Sequence, residues 1–376
     1  MLSAKRILLM YISEDSGHHC ASISIEKAIR RIAPDSQIMN INVFNYTNPI
    51  LEKVINRAYM GVVKRKPEIW DYLYDNPKVM EKTRRLREMI HNLNSPKLKV
   101  LLDDFKADIV ICTQAFPCGM VADYKKTYGL DLPIVGVLTD YAPHSYWLYN
   151  NVDCYVAPSG ETAKALVKNG ISADRVKPLG IPIDPKFSQG VDPEQSASGI
   201  GLDSSVPTAL VMGGTQGLGP IKEFVFASDN IAQALQLIVV TGTNRKLHKW
   251  LLAKQGAVLK KKFIIYGFTH NIDELMAMAS IIVTKAGGIT TAEALARGLP
   301  MIILNPLPGQ EAMNTNYLLQ EGVALRADDA HHAALILEEL LYHDNAKLKR
   351  MGANAKRCAS PNSATDIANL ILSLAR

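Results

Sequence analysis

The chain has 376 residues and a net charge of +6, with 48% hydrophobic and 21% charged residues, a balance that suits two globular domains and excludes extensive disorder. No apolar run approaches the roughly 20 residues needed to cross a bilayer. The five cysteines, Cys20, Cys112, Cys118, Cys154 and Cys358, are scattered without a C-x-x-C pair, which points to reduced thiols in a cytosol rather than a disulfide framework or a zinc site.

Short apolar runs alternate with helical periodicity along almost the whole chain. The opening segment has Lys5 and Arg6 before a brief apolar run; it is too short for a secretory signal and reads as a first strand, Arg6–Ile12. Further buried strands are expected at Ala107–Thr113, Leu132–Asp140 and Asp153–Ala157, with helices such as Ser22–Ile32 and Glu161–Lys168 between them. Lys186–Pro207 is rich in Gly, Pro and Ser and reads as an interdomain linker, centred on 191–206. The alternation then restarts with strands at Thr208–Met212, Leu237–Thr241, Phe263–Tyr266, Ile281–Thr284 and Met301–Leu304. The expected class is α/β, with two doubly wound, Rossmann-like parallel sheets in tandem. Residues 1–190 would form the first domain and 207–358 the second, and 359–376 would add an amphipathic C-terminal helix. Ligands of such sheets bind beyond the carboxyl ends of the strands.

The positive charge is local. Between Lys53 and Lys99 twelve bases face five acids, so this stretch alone exceeds the net charge of the chain. It lies inside a segment, about 49–102, that is longer than a plain crossover between parallel strands. Its cations are interleaved with Tyr59, Trp70, Tyr72 and aliphatic residues. That mixture suits the headgroup layer of an anionic membrane, or a helical insertion packed on its own domain. No nucleic-acid recognition motif accompanies it, and no nucleic-acid partner is expected.

Four strand ends carry candidate chemistry. After the first strand come His18 and His19 beside Gly17, and an imidazole there can accept a proton near neutral pH. The loop Thr139–Trp147 brings Asp140 and His144 to the same rim; Asp140 either orients an imidazole or caps a helix. In the second half, Gly213, Gly214, Gly217 and Gly219 form a phosphate-type turn without the G-x-G-x-x-G spacing, and the next strand lacks the acid that holds a dinucleotide ribose, which disfavours an NAD enzyme. Lys285–Pro300 places Gly287, Gly288 and Thr290 at a helix start, where free N–H groups favour phosphate. Thr290 and Glu293 also have the spacing of a capping box. Gln310, Glu311 and Asn314 follow another strand and offer groups that grip sugar hydroxyls.

Taken together in order and spacing, Ser16–Ser22, Thr139-Asp140 with His144 and Trp147, Gly180–Pro185, Met212–Pro220, Tyr266–Phe268, Thr284–Glu293 and Gly309–Glu311 resemble the monogalactosyldiacylglycerol synthases and the bacterial processive diacylglycerol glucosyltransferases of glycosyltransferase family 28. The resemblance spans most of the chain and implies the GT-B architecture, two Rossmann-like domains facing a central cleft. It implies a UDP-sugar donor. Gly214 and Thr215 would meet the diphosphate, the backbone around Phe268 the uracil, and Gly287, Gly288 and Thr290 the phosphate. Glu293 would hold the ribose, and Gln310 and Glu311 the hexose. His19 aligns with the family's catalytic base, with His18 standing where the family usually has a small residue, and Asp140 is the candidate supporting group. The acceptor would be a diacylglycerol-type lipid, contacted with the anionic membrane surface through Trp70, Arg84, Arg85, Arg87, His144 and Trp147.

The expectation is therefore an inverting hexosyltransferase at the inner face of the cell membrane, peripheral and cytoplasmic. The chain has no Asp-x-Asp pair, and no metal or other cofactor is expected. Competing readings are a relative using another lipid-linked acceptor, a UDP-sugar epimerase or hydrolase on the same fold, and a sugar-nucleotide sensor.

Overall fold

A computed structural model describes residues 4–14, 16–47, 89, 91, 94–306 and 309–376. Two units partition the chain. The first comprises Met1–Pro185, Pro308–Gln310 and Asn362–Arg376, and the second comprises Lys186–Leu307 and Glu311–Pro361. The basic segment read from the sequence as a membrane insertion, with Trp70, Arg84, Arg85 and Arg87, lies outside the described residues.

The sheet of the first unit has six parallel strands in the order β2-β1-β3-β4-β5-β6: Gln37–Asn42, Arg6–Tyr11, Ile109–Cys112, Ile134–Val137, Cys154–Val156 and Val176–Lys177. The central strands are buried along their whole length, as expected when helices cover both faces of a parallel sheet. One face packs on the helix Ala115–Tyr128 and on Phe44, Leu98, Leu101 and Trp147. The other face packs on the helix Gly17–Ile32 and on the C-terminal helix Ser363–Leu374. Ile367 and Ile371 are fully buried there beside Ile25 and Ile29. Ser363 fastens the start of this helix: its Oγ donates to the carbonyl of Ile181 at 2.8 Å and accepts from the Ile183 N–H at 3.4 Å. The Gly180–Pro185 motif thus anchors the last helix to the first unit.

The sheet of the second unit has the order β12-β11-β10-β7-β8-β9, again all parallel: Ala324–Ala327, Met301–Leu304, Ile281–Thr284, Thr208–Met212, Gln236–Val240 and Lys262–Tyr266. Renumbered within the unit this is the doubly wound order, whose direction of winding reverses between β7 and β10. In the first unit the reversal falls between β1 and β3.

The segment expected to be a linker is packed structure instead. It belongs to the second unit, and within it the helix Pro193–Gly199 is capped by Asp192, whose carboxylate accepts from the N–H groups of Glu194 and Gln195. Ala197 and Leu202 are buried. Glycine and proline there make a cap and turns rather than a tether. Strands β2, β6 and β12 were not expected from periodicity. All three are edge strands, and β2 and β12 are half-exposed sequences interrupted by Asn and Arg, so no continuous apolar run marks them.

Because Ile367 is fully buried in the core of the first unit, Ile367→Ala should cost about 2–5 kcal/mol of stability. Urea unfolding of the full chain, followed by a probe in the first unit, checks this; an unchanged midpoint would show that the helix contributes nothing to that core.

Candidate functional site

Each unit places its glycine-rich and imidazole-bearing turns at its own switch point. In the first unit β1 runs into the helix Gly17–Ile32, whose N-cap Ser16 accepts through Oγ from the His19 N–H. His18 braces the strand ends. Its Nδ1 lies 2.9 Å from the Thr113 carbonyl and 2.9 Å from Thr139 Oγ1, and Thr113 Oγ1 donates back to the His18 carbonyl. A carbonyl only accepts, so Nδ1 of His18 carries the hydrogen. The turns after β1, β3 and β4 are thereby tied together. Burial pushes the His18 pKa down, while the charge of Asp140 and the bond to Thr113 oppose the shift.

His19 is held differently. Its Nδ1 meets the Glu14 carbonyl at 2.5 Å, and its ring stacks on Tyr11 with centroids 4.2 Å apart and planes 16° from parallel. By the same reasoning Nδ1 is the protonated nitrogen and Nε2 holds the lone pair of the neutral ring. A stacked imidazole with a fixed tautomer is a pre-oriented proton acceptor.

Asp140 lies at the end of β4 and acts electrostatically on His18. His144 sits in the following loop, its ring near Tyr146 and Trp147; burial, and secondarily the charge of His18, push its pKa down to about 4. The structure corrects the expectation for Trp147. It is 4% exposed, belongs to the core of the first unit, and its carbonyl accepts from Tyr155 Oη at 2.6 Å. An indole enclosed in this way is withheld from a lipid surface.

In the second unit, two glycine turns at the ends of β7 and β8 interlock. Gly217 has φ +56° and a Cβ there would stand 2.1 Å from the Thr241 carbonyl oxygen. Gly242 has φ +55° and a Cβ would stand 2.1 Å from the Thr215 oxygen. Both conditions require glycine. Thr243 N–H donates to that same Thr215 carbonyl at 2.8 Å, and Asn244 Nδ2 to the Gly217 carbonyl at 3.2 Å. Gly214, also at positive φ, leaves room for the Lys285 side chain, whose Cε would lie 3.2 Å from a Cβ.

At the end of β10 the helix Gly288–Ala296 starts with Gly287 as N-cap and no side-chain cap. The capping box of Thr290 and Glu293 is therefore not formed: the helix begins three residues earlier than that reading requires. The first N–H groups, Gly288 to Thr290, are those that an α-helix cannot satisfy internally, and they carry the positive end of the dipole. Thr291, rather than Thr290, turns inward, its Oγ1 donating to the Gly287 and Gly288 carbonyls. Glu293 is half-buried one turn on.

Lys285 Nζ pairs with Glu311 Oε1 at 2.6 Å, a contact that pattern reading missed because the two are 26 residues apart. Asn314 is fully buried and donates through Nδ2 to the Ala286 carbonyl at 3.0 Å. It braces the glycine turn rather than offering its amide to a sugar. Phe268, beyond β9, is 58% exposed with His270 edge-on to its ring. Gln310 and Glu311 begin the helix Gln310–Gln320 and fall to different units. Among the described residues no cluster of three or more His, Cys, Asp or Glu could hold a metal ion, and no helix is long and apolar enough to cross a membrane.

The shift of His144 has a definite sign. The folded pKa lies near 4, below the ordinary value of 6.5, so the unfolded chain binds the extra proton between these values. The contribution is complete above pH 6.5 and is lost as pH falls toward 4, and His18 shifts in the same direction. His144→Phe should flatten the loss of stability between pH 6.5 and 4 in urea titrations; an identical acid slope in the variant would contradict this.

Comparison with known proteins agrees with this arrangement. The family model of monogalactosyldiacylglycerol synthase matches residues 18–183, and that of the glycosyltransferase family 28 C-terminal domain matches residues 208–371. A processive diacylglycerol beta-glucosyltransferase from Bacillus mycoides is 30% identical, with 99% of this chain and 94% of the relative covered. Among solved structures, MurG of Acinetobacter baumannii superposes with a TM-score of 0.64 at 13% identity, covering 98% of this chain and 99% of that one. HepE of Anabaena in complex with UDP-glucose gives 0.55 at 14%, covering 98% and 99%. These place both sheets in the GT-B class, and with identity sustained over nearly the full length of a curated relative, the chain belongs to glycosyltransferase family 28, in the group of monogalactosyldiacylglycerol synthases and processive diacylglycerol glucosyltransferases.

Proposed function

We propose that the chain transfers a hexose from a UDP-sugar to diacylglycerol or a glycosyl-diacylglycerol, with inversion and without a metal, at the cytoplasmic face of a membrane. The name of its Bacillus relative supports the acceptor class and the sugar class. The observation that carries the chemistry is the tautomer of His19: Nδ1–H is committed to the Glu14 carbonyl, which leaves Nε2 to take a proton.

In this reading Nε2 of His19 removes the proton of the acceptor hydroxyl as its oxygen attacks the anomeric carbon. The bond from that carbon to the diphosphate oxygen breaks, and UDP leaves with the electron pair. The inline attack inverts the configuration. The leaving charge is met by the N–H groups opening the helix Gly288–Ala296 and by the Gly214–Thr215 turn, fixed dipoles that need no reorganisation. Glu293 takes the ribose hydroxyls, the backbone at Phe268 the uracil, and Gln310 and Glu311 the hexose. Lys285 holds Glu311 by one carboxylate oxygen, which fixes the direction of the other. Asp140 supports the proton acceptor through its effect on His18, whose hydrogen bonds hold the turn that carries His19.

Two measurements test the reading. UDP release from UDP-glucose and UDP-galactose should depend on diacylglycerol vesicles, with glycolipid products in the mass spectrum; equal release without lipid would mark a hydrolase, and conversion to a second UDP-sugar without release of UDP an epimerase. His19→Ala should lower turnover by about 10²–10⁴-fold, the usual worth of a general base, with UDP affinity by calorimetry within about twofold of the parent. Full turnover in that variant would remove His19 from the chemistry.

A further inference from the structure

From Asp229 to Asp273 the chain contains no acidic residue between the two, and seven Lys and Arg: Arg245, Lys246, Lys249, Lys254, Lys260, Lys261 and Lys262. This stretch contains β8, the helix Arg245–Lys254 and the edge strand β9. Leu247 and Leu251 bury one side of the helix. Helical spacing puts Arg245, Lys246, Lys249, Leu252 and Ala253 together on the opposite side, and all five are exposed.

Trp250 sits at the flank of that exposed side. Its ring meets Phe226 edge-on at 5.4 Å, and Lys222 Nζ lies 4.9 Å above it. Apolar surface is left open around this cluster: Phe226 is 37% exposed and Leu252 51%. Two of the seven cations are already occupied, since Lys261 Nζ donates to the Gln233 carbonyl and Lys262 Nζ to that of Gly201. Of the nearby acids, Asp229 accepts the N–H groups of Lys260 and Lys261, and Glu223 is exposed beside Lys222. What remains is Lys222 over the Trp250 ring, and Arg245, Lys246 and Lys249 with Leu252 on the exposed side of the helix.

We propose that this face of the second unit docks on an anionic lipid bilayer. Apart from Glu223 the charge on this face is positive and complements a surface of anionic headgroups. A half-buried Trp with a cation over its ring matches the headgroup layer, where the ring meets acyl chains and the ammonium groups stay with phosphate. The inference goes beyond the proposed function, which names no membrane-contacting residue, and it needs no turnover to be tested.

The test uses the full chain and vesicles of phosphatidylcholine with or without phosphatidylglycerol, the acyl chains brominated in a parallel set. In a W70F background, Trp250 emission should be quenched by brominated anionic vesicles, so the further change W250F should lose most of the quenching that W70F shows. The double variant K246E/K249E should weaken partition into anionic vesicles at least about tenfold, with UDP affinity retained as the sign of an intact fold. Undiminished quenching on adding W250F, or equal partition of K246E/K249E, would overturn the proposal while leaving the catalytic reading untouched. Heparin binding that tracks vesicle binding without any Trp250 quenching would mark a general polyanion surface and would overturn it too.

Discussion

The glycine turns at the ends of β7 and β8 in the second unit depend on two backbones approaching closer than any side chain permits. Gly217 stands against the Thr241 carbonyl and Gly242 against the Thr215 carbonyl, so each turn supplies the hole into which the other fits. A methyl group on either glycine would push apart the ends of β7 and β8. The hydrogen bond from Thr243 N–H to Thr215 closes the interlock. The turn after β7 can therefore present its N–H groups in one arrangement, as an anion site requires, without contributing a charged side chain of its own.

The imidazole-bearing turn of the first unit rests on a division of labour between adjacent residues. His18 gives its Nδ1–H to the end of β3 and is drawn toward the neutral form by burial. His19, one residue on, points elsewhere and stacks on Tyr11. The brace and the stacked imidazole lie on consecutive residues because a helix start turns successive side chains by about 100°. A family resemblance in which the first position is small leaves no prior for this brace. It emerges only when the carbonyl of Thr113 and the hydroxyl of Thr139, about a hundred residues away, are brought to the same place.

What could be read from the sequence follows from burial. Central strands such as Arg6–Tyr11, Ile109–Cys112 and Ile281–Thr284 are enclosed on both faces, and so appear as unbroken apolar runs; eight of the nine strands legible in the sequence are central, and the ninth, Lys262–Tyr266, is an edge strand with an apolar run of its own. The edge strands Gln37–Asn42 and Ala324–Ala327 are wet on one side and carry Asn or Arg in the run. The glycine turns were visible because positive φ and close approach leave a mark in composition. Long-range partners left none: the Lys285–Glu311 pair, the seat of Asn314 under Ala286 and the enclosure of Trp147 depend on contacts between segments. The loop Thr139–Trp147 looks polar and exposed residue by residue, yet its indole completes the core beneath the helix Ala115–Tyr128.

The helix Ser363–Leu374 has a consequence for how the protein is made. Domains usually fold in the order in which they are synthesised. Here the first sheet is translated early, but the side chains that cover Ile25 and Ile29 emerge only after the entire second unit has left the ribosome. Until then one side of a nearly finished sheet stays wet and adhesive. Nascent chains of this design need either a chaperone or a rapid finish to translation, and a stall late in the message would release a polypeptide with a correct second half and an unsealed first.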